Sequence, residues 1–116
     1  MVRRVSRAVR SIEKILTNLE VKFIREYRFT DCRNQLPLPF DFYLPELNTC
    51  IEFDGIFHFK PLPVADGEAK LLICQKHDRI KDLYCFERGI VLLRITYLQT
   101  RGLKKIVTQF INSFKT

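Results

Sequence analysis

The sequence predicts a mixed α/β fold, a β-sheet flanked by helices in the order α-β-β-β-α-β-α. Three observations carry that expectation: two segments with helical apolar spacing near the ends, a cluster of short β-rich runs in the first half, and a long helical stretch that stops at a glycine before a nearly continuous apolar run. The chain has 116 residues, is 47% apolar and contains 10 Phe and 4 Tyr. That is enough side-chain volume for one core, so intrinsic disorder is excluded and a single domain over 1–116 is expected.

Each element has a local reason. Ser6 to Glu20 places Ala8, Val9, Ile12, Ile15, Leu16 and Leu19 along one helical stripe. Val21 to Phe29 is rich in β-formers and reads as a strand, and Thr30 to Pro39, polar with two prolines, as a loop. Phe40–Leu44 and Thr49–Phe53 flank Pro45-Glu46-Leu47-Asn48, the turn chemistry of an antiparallel hairpin. Ile56 to Gly67 should leave the sheet as a loop. A long helix is expected from about Glu68 to Arg88, with Leu71, Leu72, Cys74, Ile80, Leu83, Tyr84 and Phe86 on its buried side and Gly89 as its stop. Ile90 to Thr96 suits a central strand covered on both faces, and Leu103 to Phe114 a closing helix.

The formal charge is +7, which favours a polyanionic partner through counterion release, although charge alone does not separate DNA, RNA and membrane surface. No run approaches the roughly 18 apolar residues that span a bilayer, and the Arg-rich start has no signal-peptide centre. A soluble intracellular protein of cytoplasm or nucleus is expected. Cys32, Cys50, Cys74 and Cys85 are spaced 18, 24 and 11 apart, without the close pairs of structural zinc sites, and read as reduced, mostly buried thiols.

Chemistry concentrates at the hairpin. Glu52 and Asp54 share a strand face, and antiparallel pairing brings Asp41 opposite Glu52, so three carboxylates are expected to converge. A hard divalent cation such as Mg²⁺ relieves their repulsion; ordinary surface charge is the alternative. His58 follows the acidic strand after Gly55 and suits proton transfer, or else a structural role. The polar stretch Gln75 to Asp82 on the long helix is explained by a solvated face, with His77-Asp78 able to face the acidic end instead.

Glu13 in the first helix, Asp41 opening a strand, Glu52-Phe53-Asp54 on the next and then His58 together resemble the PD-(D/E)XK nuclease superfamily. Within it, the pattern is similar to the branch holding the very-short-patch mismatch endonucleases and the phage EDxHD homing endonucleases. The likeness spans about Ser11 to Tyr97. It implies a restriction-endonuclease-like core and a metal-dependent endodeoxyribonuclease. Asp41 would be the principal Mg²⁺ (or Mn²⁺) ligand, Glu52 a second and the Phe53 carbonyl a third, with Glu13 holding a water or a second metal from the helix. The usual lysine of this superfamily is Asp54 here. His58 would then carry the proton transfer with Asp78 orienting its ring, Lys60, Lys81 or Arg79 would replace the missing charge, and Asp54 could add a metal ligand.

DNA is the expected partner. Arg3, Arg4, Arg7, Arg10, Arg101, Lys104 and Lys105, with Lys60, Arg79 and Lys81 nearer the site, would contact its backbone. So short a chain has little room for base readout, which implies structure-selective or weakly sequence-specific cutting. Phe57 and Phe59 flank His58 and could wedge between bases or belong to the core. The competing function is a non-catalytic nucleic-acid-binding domain retaining the fold. A homodimer through an exposed strand edge or the last helix (Ile106, Val107, Phe110, Ile111, Phe114) is compatible with either.

Overall fold

The computed structural model describes residues 6–115. It is mixed α/β, with one four-stranded sheet and three helices. Helix α1 (Arg7–Asn18) starts at Ser6, whose hydroxyl accepts from the Val9 N–H at 3.1 Å and so satisfies one of the free donors of the first turn. Strand β1 (Ile24–Arg33) pairs antiparallel with β2 (Pro37–Leu44), which pairs antiparallel with β3 (Thr49–Asp54). A 3-10 turn at Ile56–His58 leads through an irregular segment to α2 (Gly67–Arg88) and then β4 (Val91–Thr96), which lies parallel to β3. A second 3-10 stretch, Tyr97–Gly102, precedes α3 (Leu103–Asn112).

The sheet order is β1-β2-β3-β4, and its two faces bury separate clusters. On one, Val9, Ile12 and Leu16 of α1 and Leu103, Val107 and Ile111 of α3 close over Phe42, Leu44, Ile51 and Ile95. On the other, Tyr84 and Cys85 of α2 close over Cys32, Phe40, Cys50 and Ile90. All four cysteines are free thiols, three of them buried; burial pushes Cys32 up to about 11.

Two glycines set the length of α2. Gly89, at φ +67°, supplies the left-handed residue that ends the helix, with the Ile90 N–H donating back to the Cys85 carbonyl at 2.9 Å. At the other end the Leu62 carbonyl oxygen would lie 2.0 Å from any Cβ at Gly67, so only glycine lets the preceding segment fold against the helix start.

Several expectations are corrected. Most of Thr30–Pro39 is strand, because β1 runs to Arg33 and β2 begins at Pro37. The prolines are tolerated because β2 pairs with β3 only from Phe42 to Leu44, so an N–H is dispensable on that side of Pro37 and Pro39. Strand β4 is an edge strand, not a central one, and only Ile95 in it is fully buried. The expected buried side of α2 holds for Tyr84 alone among the fully buried positions, with Ile80 partly covered. Leu72 is 67% exposed and Phe86 82%, and Leu83 is exposed too, since one sheet face is narrower than a 22-residue helix. On α3, Val107 and Ile111 are buried in the core, while Ile106 and Phe110 are partly exposed and pack against its edge. No helix among the described residues is long and apolar enough to cross a membrane.

Phe42→Ala, at a fully buried ring, is expected to cost about 3–5 kcal/mol, and Phe86→Ala within about 0.5 kcal/mol of nothing. Urea denaturation midpoints of the two variants check both values.

Candidate active-site cleft

The site begins where β2 and β3 part. Their backbone pairing ends at Phe42 and Ile51, and beyond it side chains replace the ladder. The Asp41 N–H donates to Glu52 Oε1 at 2.6 Å, and the Phe53 N–H donates to Asp41 Oδ2 at 2.7 Å. Charge-assisted bonds to backbone donors hold both carboxylates in fixed positions. The expectation that Asp41 stands by Glu52 is met, with carboxylates as the struts.

A change of face accompanies the fork. Phe40 and Phe42, two residues apart on β2, pack in opposite clusters. On β1, Arg25 lies over the Phe42 ring at 5.0 Å while Tyr27 stacks on Tyr43 at 4.8 Å, so the neighbouring strand switches with it. The residue between, Glu26, takes φ +49°, a left-handed conformation that breaks the two-residue alternation. Arg25 Nε also donates to the Asp41 carbonyl at 3.0 Å, and its guanidinium lies 3.8 Å from Glu13 Oε1. Glu13 is thus linked to the fork through Arg25 and does not line the cleft.

Glu52 meets a cation from α2. Lys81 Nζ donates to Glu52 Oε2 at 2.9 Å, with the two side chains 10% and 4% exposed, and the ammonium sits 5.2 Å above the Phe40 ring. Of the three candidates for the missing charge, Lys81 is the one the structure brings to the carboxylates. It is therefore not a surface contact for DNA. Lys60 and Arg79 are exposed and lie outside the cleft lining.

Asp54 does not join Asp41 and Glu52. Arg94 Nη1 donates to its two oxygens at 3.1 and 3.2 Å, and Arg94 further donates from Nε to Asp82 (2.8 Å) and from Nη2 to the Asp78 carbonyl (3.1 Å). Burial pushes the Asp54 pKa up, against the opposing pull of Arg94 and His58. The three-carboxylate ligand set is thereby reduced to two, with the buried Asp54 the partner of a partly exposed guanidinium. Arg94 was missed in the sequence, where its signal was a lone charge inside Val91-Leu92-Leu93-Arg94-Ile95.

His58 faces α2. Its Nδ1 lies 2.9 Å from Asp78 Oδ2, 3.4 Å from Cys74 Sγ and 3.5 Å from Asp54 Oδ1. Between two carboxylates this nitrogen carries the proton and donates, which leaves Nε2 as the free nitrogen. The hydrogen bond to Asp78 raises the His58 pKa, with burial opposing. At Asp78 burial acts upward, but His58, Arg94 and Lys81 outweigh it and the pKa is lowered. His77 sits differently: the Asn34 amide donates to its Nε2 at 3.1 Å, and burial and Lys81 lower its pKa.

These groups line one cleft of about 330 Å³, walled by Asp41, Glu52, Phe53, His58, Asp78 and Lys81. Mg²⁺ is usually held by one or two carboxylates while keeping several waters. Asp41 and Glu52 suit that: each carboxylate oxygen bonded to a backbone N–H retains a second lone pair. Arg7, Arg10, Arg101, Lys104 and Lys105 are exposed in the α1/α3 layer and do not line the cleft; Arg3 and Arg4 lie outside the described residues. Phe57 and Phe59 are about half exposed.

Comparison with protein-family models, curated proteins and solved structures gives no match for this chain. Function is therefore read from the cleft itself.

Lys81→Met, which strands Glu52 in the interior, is expected to destabilise the fold by about 3 kcal/mol, and Glu52→Gln added to it to recover part of that loss in thermal or urea unfolding. For His58, a raised folded pKa makes the stabilisation from its pair with Asp78 complete below the unfolded histidine pKa. That stabilisation disappears as pH rises through the folded value. The lowered Asp78 pKa makes it fade again as pH falls below the ordinary carboxylate range. NMR titration is expected to place His58 above its usual value in the wild type and lower in Asp78→Asn.

Proposed function

We propose that this chain is a metal-dependent endodeoxyribonuclease of the PD-(D/E)XK kind, with a restriction-endonuclease-like core and a resemblance to the branch of the very-short-patch and EDxHD endonucleases. The observation that supports it is the meeting, in one cleft, of a two-carboxylate fork, a lysine on one of those carboxylates and a histidine–aspartate pair. These are the groups that phosphodiester hydrolysis needs, drawn from β2, β3, the 3-10 turn and α2.

Asp41 and Glu52, with the Phe53 carbonyl, would hold Mg²⁺ or Mn²⁺, which supplies charge neutralisation at the phosphate and lowers the pKa of water. Lys81 fixes Glu52 and adds a positive charge where negative charge develops. His58 moves a proton at Nε2, and Asp78 holds the ring through Nδ1. Asp54 anchors Arg94 and so keeps α2 against β3 and β4. Glu13, tethered to Arg25, takes a positioning role at the Asp41 backbone. The exposed cations of α1 and α3 meet DNA backbone beyond the cleft, which gives affinity without base readout.

The alternative, a binding module with a decayed site, rested on the missing lysine at position 54. The ammonium of Lys81, 2.9 Å from Glu52, weakens that ground.

The test is cleavage of supercoiled plasmid and of branched or mismatched oligonucleotides with Mg²⁺, Mn²⁺ or EDTA. Metal-dependent cutting is expected to fall by about 10²-fold or more in Asp41→Asn and His58→Ala, with DNA binding retained in Asp41→Asn. Binding without cutting under any metal overturns the nuclease in favour of the module. Asp78→Asn is expected to move the His58 limb of the pH–rate profile to lower pH, since it removes the bond that raises that pKa.

A further inference from the structure

Cys74 has no part in the chemistry above. Unlike Cys32, Cys50 and Cys85, which are buried in the α2-facing core, it is partly exposed and lines the cleft. It stands one helical turn before Asp78, so both project from the same face of α2 toward His58. His58 Nδ1, Cys74 Sγ and an Asp78 oxygen all lie within 4.8 Å of one another, and among the described residues this is the one such group of His, Cys, Asp or Glu.

We infer that His58, Cys74 and Asp78 form a second metal site, selective for a thiophilic divalent cation of the Zn²⁺ class and distinct from the Asp41–Glu52 fork. Geometry supports it. Tetrahedral zinc with Zn–N near 2.0–2.1 Å and Zn–S near 2.3 Å sets nitrogen and sulfur about 3.5 Å apart, and the His58 Nδ1 to Cys74 Sγ distance is 3.4 Å. The His58 Nδ1 to Asp78 Oδ2 distance, 2.9 Å, opens by a few tenths of an ångström once the hydrogen bond between them is replaced by a shared ion. Ligand chemistry agrees: thiolate and imidazole suit Zn²⁺ and Co²⁺, whereas Mg²⁺ takes oxygen. Three protein ligands leave a fourth position, and the cleft provides the opening.

Occupancy has a consequence that rests on the proposed nuclease. Ligation at Nδ1 places the imidazole proton on Nε2, the nitrogen assigned to proton transfer, and takes Asp78 from its orienting role. Zn²⁺ thereby inhibits cleavage supported by Mg²⁺.

Titration of the reduced full chain with Co²⁺, a spectroscopic stand-in for Zn²⁺, tests the site directly. A thiolate-to-cobalt charge-transfer band is expected, saturating at one equivalent, removed by one equivalent of Zn²⁺ and unmoved by a hundredfold excess of Mg²⁺. The band is expected to vanish in Cys74→Ser and in Cys74→Ala, with circular dichroism confirming that each is folded. No thiolate band in the wild type, or a band that survives both substitutions, overturns the site. In the cleavage assay Cys74→Ser is expected to match the wild type with Mg²⁺ and to withstand Zn²⁺ that stops the wild type; equal inhibition of the two overturns the inhibitory link. If the wild type never cuts, the nuclease reading fails alone, since the cobalt spectrum still decides the metal site.

Discussion

Everything in the cleft depends on one substitution of partners: where β2 and β3 diverge, two carboxylates take over the work of backbone carbonyls. Asp41 accepts from the Phe53 N–H and Glu52 accepts from the Asp41 N–H, so each acid closes the gap that the other strand leaves. A splayed strand pair without such acceptors would bury unsatisfied donors, each a penalty of about 1–3 kcal/mol. The acids therefore hold the fork together as well as lining the cleft. Stability and the lining of the cleft draw on the same two side chains.

Around this fork the charges are sorted into pairs. Lys81 goes to Glu52, Arg94 to Asp54 and Asp82, and His58 to Asp78, so that four carboxylates of the α2-facing layer are met by a cation or a donating imidazole from another element. Within the described residues no buried side-chain polar atom lacks a partner. This is the condition under which charge can sit beneath a helix at all, because a buried ion left alone costs several kcal/mol. It also accounts for the weak apolar coverage by α2, whose inward face is used for Lys81 and Asp78 as much as for Tyr84 and Cys85.

Much of this was legible in the sequence. The helix over Gly67–Arg88, its stop at Gly89, the hairpin turn and the closeness of Asp41 to Glu52 follow from periodicity, turn chemistry and strand alternation, whereas Asp78 beside His58 was implied only by the family resemblance, since the polar helix stretch around it reads as a solvated face. What escaped depended on partners distant in the chain. Pro37 and Pro39 read as loop because nothing local says that β3 stops short of them. Asp54 read as a metal ligand because its owner, Arg94, lies 40 residues on. Strand β4 read as central because an apolar run is the same whether covered by strands or only by helices, and edge position is a property of the whole sheet. The face switch at Glu26 was invisible for a similar reason: a positive φ at a glutamate leaves no mark in composition.

The parallel pairing of β3 with β4 has a temporal side. Asp41, Glu52 and His58 lie within one hairpin and its exit turn, while Cys74, Asp78, Lys81 and Arg94 belong to the helix and strand that must cross over before Glu52 can lie beside Arg94. Non-local pairings of this kind are slow steps in assembly, since loop closure precedes the contacts that reward it. Any species whose crossover has not docked holds the carboxylate half of the cleft without the lysine or the oriented imidazole. The split of the cleft between early and late sequence thus leaves the cleft incomplete until the chain has finished folding.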